Sequence, residues 1–184
     1  MRAIRLVSVS AAAAVAVLVT SSVVLGQGEV AEDGQHYLYG EVEGFFHHDM
    51  ENPLGCEIGF TSVETGSGTS TLLGATTVAS HNCYVPTDTY QNMTHGVMTL
   101  TGENGDTLEL EERTGNCLPD DVPTPGGVYS CVIVSTITAG SGGLEGVSGE
   151  IVALAYITNV QSDHPDAAPG DVPMRMIFEG LIDY

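Results

Sequence analysis

The chain has no lysine and no tryptophan among its 184 residues, and arginine occurs only four times. Two of the arginines, Arg2 and Arg5, lie at the N-terminus, so Arg113 and Arg175 alone offset 24 acidic residues after position 26. The formal net charge of that part is therefore −22. Such a surface repels polyanions, so we predict no nucleic-acid partner and no binding to anionic membrane surfaces. The charge favours solubility in a salty medium; the alternative is a surface that collects cations.

Catalytic and metal-binding motifs are also missing. The sequence has no G-x-S-x-G elbow, no C-x-x-C pair and no H-x-x-x-H spacing, and we predict no cofactor. One cluster, His47-His48-Asp49, has side chains suited to a divalent transition metal. Neighbouring residues of a strand point to opposite faces, so the two histidines share an ion only if this segment is a loop. The alternative is an ordinary polar loop after a strand.

The N-terminus has the features of a secretory signal peptide over residues 1–26. Its basic start precedes an uncharged apolar stretch, and a small-residue cleavage site lies before Gln27. The alternative is a transmembrane anchor, which the Ser and Thr residues within the stretch disfavour. We predict an acidic leader over 27–36 and one domain over 37–184. The mature protein would be secreted or periplasmic, with no stable membrane anchor after cleavage.

Four cysteines in an exported chain predict two disulfides. Three pairings are possible. We favour Cys56–Cys83 with Cys117–Cys131, since the second pair flanks a loop rich in Pro and Gly and suits adjacent strands. The competing interpretation is a Cys/His metal site, which the spacing does not support.

The rest of the chain is typical of an all-β protein. About eight strands follow one another at short spacing, and Asn104-Gly105 is a strong hairpin signal. Gly66 and Gly68 indicate a turn, and a second, glycine-dense turn contains Gly140, Gly142, Gly146 and Gly149. We predict a single small antiparallel β-barrel, closed by pairing of the first and last strands; the alternative is a β-sandwich.

Strand alternation suggests which side chains face the barrel interior. Residues predicted to line a ligand cavity are Tyr37, Tyr39, Phe45, Met98, Met176 and Phe178. Val132 is also predicted to face inward. An eight-stranded barrel either fills its interior with side chains or holds one small ligand, and both alternatives stay open. Glu109, Glu111 and Glu112 alternate with leucines and are predicted to lie on a solvated face.

Several of these segments resemble secreted bacterial proteins related to the allene oxide cyclase and dirigent barrels. The glycine-rich turn from Thr138 to Gly149 is similar to the Thr-Gly-Gly-Thr-Gly-x-Phe-x-Gly-Ala-x-Gly turn of those proteins. It departs from that pattern at Ala139, Gly143 and Leu144. Three further matches are Asn104 to Leu108, Phe178 to Tyr184, and Leu73 to Thr76.

The resemblance covers the chain from about residue 70 onward and implies an eight-stranded barrel with a central cavity. It brings no catalytic residue, because no position matches the active-site groups of either family. The sequence thus predicts an exported binding or structural domain, with a small apolar ligand as its candidate partner. The alternative is an isomerase or cyclase acting on a small apolar substrate in the cavity. A titratable group buried inside the barrel would favour the enzyme.

Overall fold

A computed structural model describes residues 35–49, 54–57, 59–86, 91–119, 128–158 and 164–184. The predicted signal peptide and nearly all of the predicted leader lie outside these residues. Eight strands follow in chain order: β1 (Gln35–Asp49), β2 (Phe60–Ser70), β3 (Gly74–Pro86), β4 (Gln91–Gly102), β5 (Thr107–Pro119), β6 (Val128–Gly140), β7 (Ser148–Thr158) and β8 (Val172–Asp183).

The strands form a closed barrel in which each pairs with its sequence neighbours. All pairs are antiparallel, and β1 pairs with β8 as well as with β2. The predicted barrel is confirmed, and the sandwich alternative is wrong. Closure leaves no sheet edge unpaired, which a sandwich of the same strands would not achieve. Among the described residues, no helix is long and apolar enough to span a membrane.

Both predicted disulfides are present. Cys56 is bonded to Cys83, and Cys117 is bonded to Cys131. The second bridge, which we call the mouth disulfide, joins directly paired residues of β5 and β6 at one end of the barrel. Each bridge closes a loop and so restricts the unfolded chain.

The glycine-dense turn connects β6 to β7 and contains a short 3-10 helix, Gly142–Leu144. Gly142, Gly146 and Gly149 have positive φ angles of 62°, 85° and 150°. A Cβ at Gly142 would overlap the carboxylate of Asp106, because this turn packs against the hairpin between β4 and β5. A Cβ at Gly140 would overlap the backbone oxygen of Leu144. The prediction of a structural turn is confirmed.

The turn between β2 and β3 lies three residues after the position that the sequence suggests. Gly66 and Gly68, predicted to mark a turn, both lie inside β2. Residues 71–73 form the turn, and Gly74 follows with a φ of 67°. A Cβ at Gly68 would overlap the backbone oxygen of Glu41 on β1. This glycine therefore permits close approach of two strands instead of reversing the chain.

β1 presents the opposite face from the one predicted. Leu38, Val42 and Phe46 are buried, whereas Tyr37 and Tyr39 are 40% and 38% exposed. The physical reason lies at the barrel seam, by which we mean the pairing of β1 with β8, where Gly40 pairs with Phe178. The Phe178 ring occupies the space that a Cβ at Gly40 would need. The glycine face of β1 thus faces inward, because it makes room for this ring.

Candidate functional site

The barrel interior contains two carboxyl groups that are completely buried. Glu64 on β2 and Glu112 on β5 are each 0% exposed. The prediction of a solvated face is right for Glu109 and Glu111, which are exposed, but wrong for Glu112. Glu112 follows the buried Leu108 and Leu110 at intervals of two residues, so strand alternation indicates that its side chain is buried. The prediction for this residue relied on its charge, although its position on the strand places it inside the barrel.

Three side chains of β3 converge on Glu64. Ser80 donates to Glu64 Oε2 at 3.1 Å, and Asn82 donates from Nδ2 to Glu64 Oε1 at 3.1 Å. The Tyr84 hydroxyl donates to the same Oε1 at 3.3 Å. Since these three residues alternate along β3, all of them point into the barrel. Burial raises the pKa of Glu64, and the hydrogen bonds from Ser80, Asn82 and Tyr84 partly offset the rise.

Glu112 lacks such donors. Neither of its carboxyl oxygens has a hydrogen-bond partner among the described residues, and the same is true of Asn82 Oδ1. Burial raises the pKa of Glu112 well above its ordinary value, and the negative charge of Glu64 adds to the effect. The two carboxyl groups therefore differ in environment, since one is held by three donors and the other by none.

Gly96 on β4 lies between Asn82 and Glu112 in the strand register. A Cβ at this position would overlap both Asn82 Oδ1 and Glu112 Oε2. The two oxygens therefore approach the same position beside Gly96, one from β3 and the other from β5. Any larger residue at position 96 would have to displace one of them. Gly96 is thus part of the site, although it offers no functional group of its own.

A second feature is a cavity of about 250 Å³ at one mouth of the barrel. We call it the mouth cavity. It lies where β1, β5 and β7 end and where β6 and β8 begin. The described residues that line it are Phe46, His48, Cys117, Tyr129, Cys131, Ile157, Thr158 and Val172. Its wall therefore combines aliphatic and aromatic side chains, the mouth disulfide, and one imidazole.

An aromatic cluster forms the floor between the mouth cavity and the buried carboxyl groups. The His48 ring lies 5.3 Å from Phe46 and 4.3 Å from Phe60, both edge-on. Tyr84 stacks on Phe60 at 5.8 Å and reaches Glu64 with its hydroxyl. Partial burial lowers the pKa of His48, and the neighbouring His47 lowers it further. These surroundings therefore favour the neutral imidazole, which has one donor and one acceptor nitrogen.

Three of the six predicted cavity residues lie inside the barrel. Met98, Met176 and Phe178 are buried and pack in the hydrophobic core, but none belongs to the described lining of the mouth cavity. Their predicted inward orientation is confirmed, and their role in lining a ligand cavity stays a prediction.

The other three predicted cavity residues face outward, so their assignment to an interior cavity is wrong. The hydroxyl of Tyr37 donates to Glu179 on the outer wall, and Tyr39 is also outside. Phe45 lines an outer cleft of about 700 Å³, where its ring lies 5.7 Å from His164. The reason is that the packing of Gly40 against Phe178 turns the opposite face of β1, which contains these three residues, outward.

The predicted metal triplet His47, His48 and Asp49 is not a single site. These residues belong to β1 and not to a loop, so the two histidines point to opposite sides. His47 pairs through Nδ1 with Asp171 Oδ1 at 3.3 Å, whereas His48 faces the mouth cavity. In the part of the chain that the structure describes, no three His, Cys, Asp or Glu side chains are grouped to hold a metal ion.

Comparison with protein-family models, curated proteins and solved structures gives no match to this chain. The resemblance to the allene oxide cyclase and dirigent barrels therefore stays a prediction from the sequence motifs.

Proposed function

We propose that this chain is an exported, acidic β-barrel that binds one small, largely apolar ligand in the mouth cavity. The observation that carries the proposal is the cavity itself, about 250 Å³ in volume, with an aromatic and aliphatic wall. A dry apolar cavity of about 150 Å³ already holds a benzene molecule. The mouth cavity therefore has room for a somewhat larger compound.

The polar groups of the cavity narrow the ligand class. Its lining includes His48 as well as the hydroxyl-bearing Tyr129 and Thr158, and a neutral imidazole both donates and accepts a hydrogen bond. The formal charge of −22 over the mature chain disfavours anionic ligands. We infer a neutral or cationic compound with an apolar body and one or two hydrogen-bonding atoms. Two disulfides are compatible with export to an oxidising compartment, in line with the predicted signal peptide.

The first experiment measures binding of a neutral apolar dye, Nile red, to the oxidised mature protein. Val172→Phe places an aromatic ring in the mouth cavity, and Val152→Phe makes the same change on the exposed outer wall of β7. We expect Val172→Phe to weaken binding at least tenfold, whereas Val152→Phe binds like the wild type. Equal binding by wild type and Val172→Phe would refute a ligand site at the mouth.

A second candidate is an isomerase or cyclase that acts on a small apolar substrate. One observation favours it, namely the buried pair Glu64 and Glu112 beneath the aromatic floor. Two carboxyl groups with different environments are suited to acid and base roles. The fold implied by the motif resemblance also accords with this candidate. Neither carboxyl group is among the described residues lining the cavity, so ligand binding is the better-supported function.

The enzyme candidate has its own test. Native mass spectrometry of the protein exported from its own host identifies any small molecule that it retains. That molecule is then incubated with the wild type and with Glu112→Gln, and isomeric products are separated by chromatography. Conversion by the wild type that Glu112→Gln abolishes, with Nile red binding retained, supports an enzyme. No conversion by the wild type eliminates this candidate for that molecule.

A further inference from the structure

Among the described residues, the interior carboxyl groups have no basic partner. The chain contains no lysine, and both arginines among the described residues, Arg113 and Arg175, are exposed. Two ionised carboxylates buried close together without a countercharge are strongly disfavoured. At least one of them must therefore be neutralised by something other than a side chain of this protein.

The amide of Asn82 indicates how the neutralisation occurs. Its Nδ2 donates to Glu64 Oε1 at 3.1 Å and to Ser80 Oγ at 3.2 Å, which leaves Oδ1 on the side of Glu112. There Asn82 Oδ1 and Glu112 Oε2 both lie close to Gly96. An amide oxygen and an ionised carboxylate oxygen both only accept hydrogen bonds. This arrangement is unfavourable while Glu112 is ionised, and a proton on Glu112 turns its carboxyl group into a hydrogen-bond donor.

We propose that the barrel interior is a binding site for a single proton, held by Glu112 and donated to Asn82 Oδ1 while Glu64 stays ionised. An amide between two carboxyl groups favours one ionised and one protonated carboxyl group. Its NH2 group donates to the carboxylate, and its oxygen accepts from the carboxylic acid. The three donors on Glu64 select it as the ionised partner. The site needs no ligand at the mouth, so it stands independently of the proposed binding function.

The surroundings contain few other titratable groups. β2 contributes Glu64 and β3 contributes Tyr84, whose pKa burial and the two carboxyl groups raise well above its ordinary value. Tyr84 therefore remains a hydroxyl donor. The residues that pair with Glu112 on β4 and β6 are Gly96 and Ser135, and neither titrates. Among the described residues, the charge near the Glu112 proton is thus that of Glu64, which favours retention of the proton.

A proton held in this way makes the fold sensitive to alkali. The unfolded chain releases the Glu112 proton at an ordinary carboxyl pKa of about 4.3, whereas the folded barrel retains it to higher pH. Within that window the folded state binds one more proton than the unfolded state. The folding equilibrium constant should therefore fall about tenfold for each pH unit, through this group alone. The contribution of this proton to the stability of the folded state is greatest in acid and is lost as the pH rises toward the folded-state pKa of Glu112.

The test compares Glu112→Gln with Glu109→Gln by chemical denaturation of the oxidised protein at pH 5, 6, 7 and 8 with chelator present. Both variants remove one carboxyl group from β5, but Glu109 is exposed and serves as the matched control. The amide introduced by Glu112→Gln supplies a permanent donor toward Asn82. We expect the ratio of the two folding constants, Glu112→Gln over Glu109→Gln, to rise with pH, by about tenfold for each unit until the folded protein releases the Glu112 proton, and to level off above that pH. A ratio independent of pH would overturn the proposal.

A second measurement does not depend on whether Glu112→Gln folds. The infrared spectrum of folded wild type at pH 6.5, about two units above the ordinary carboxyl pKa, should show the carbonyl absorption of one protonated carboxyl group, since exposed carboxyl groups are ionised there. Absence of that absorption rejects the proposal, and its presence supports it. Elemental analysis of the desalted protein gives a further check: one tightly held metal ion per chain would mean that a cation, and not a proton, occupies the site.

Discussion

The packing of Phe178 over Gly40 provides a sharp test of the barrel seam. Gly40→Ala introduces a Cβ that would overlap three ring atoms of Phe178, Cζ, Cε1 and Cε2. Overpacking in a filled core costs about 1–3 kcal/mol. The φ angle of Gly40 is not positive, so alanine is acceptable to the backbone there. The expected loss of stability therefore comes from the ring contact alone.

Phe178→Leu removes the cause of the overlap, because leucine lacks the three ring atoms. Alone, this change should destabilise the barrel by about 1–2 kcal/mol, less than the ~3–5 kcal/mol of a truncation to alanine. In the Phe178→Leu background, Gly40→Ala should be neutral or stabilising by about 0.5 kcal/mol, since alanine restricts the unfolded chain. The two substitutions should thus show a favourable coupling of about 2 kcal/mol.

The assay is urea denaturation of the oxidised wild type, both single variants and the double variant, analysed as a double-mutant cycle. If Gly40→Ala costs the same in both backgrounds, the ring does not lie over Gly40. The outward orientation of the tyrosines on β1 would then need another explanation. The m-value serves as the control, because unchanged slopes show that the native and unfolded states keep their compactness.

Three further predictions concern the site and its supports. Tyr84→Phe removes a hydroxyl donor from Glu64 and should lower the free energy of unfolding by about 1–3 kcal/mol, as measured by urea denaturation. Gly142→Ala should lower the free energy of unfolding by about 2–3 kcal/mol, and Gly146→Ala by ~1 kcal/mol. Both glycines have positive φ angles, but of the two only Gly142 lies against Asp106. Equal shifts in melting temperature would contradict the packing of this turn. Replacing both cysteines of the mouth disulfide with serine should lower the free energy of unfolding by about 3 kcal/mol, since the bridge closes a loop with a sequence separation of 14. Equal melting temperatures of the oxidised wild type and this variant would show that the bridge does not contribute to stability.

Local patterns in the sequence were sufficient for the architecture. Eight segments of strand-forming residues, the Asn104-Gly105 hairpin and the glycine-dense turn led to a closed antiparallel barrel. The preferred cysteine pairing was also right, because the mouth disulfide joins neighbours on adjacent strands. These features depend on residues that are close in sequence or on directly paired strands, and their chemistry is visible without coordinates.

The orientation of the strands was decided by tertiary packing. Alternation divides a strand into two faces but does not say which face lies inside, so the prediction for Tyr37 and Tyr39 chose the wrong side of β1. The same holds for β6, where Val132 is predicted inside but is 46% exposed. On β1 the choice depended on Phe178, a residue 138 positions further along the chain than Gly40.

The candidate site was the hardest part to predict, because its members come from different strands. Glu64, Asn82, Gly96 and Glu112 lie on β2, β3, β4 and β5 and meet only when the barrel closes. By itself the sequence determined an acidic, disulfide-bonded barrel, since composition and local pattern are properties of the chain. Only the tertiary structure determined that Glu64 and Glu112 are inside the barrel, because burial depends on strand register and on which face of a strand packs into the core.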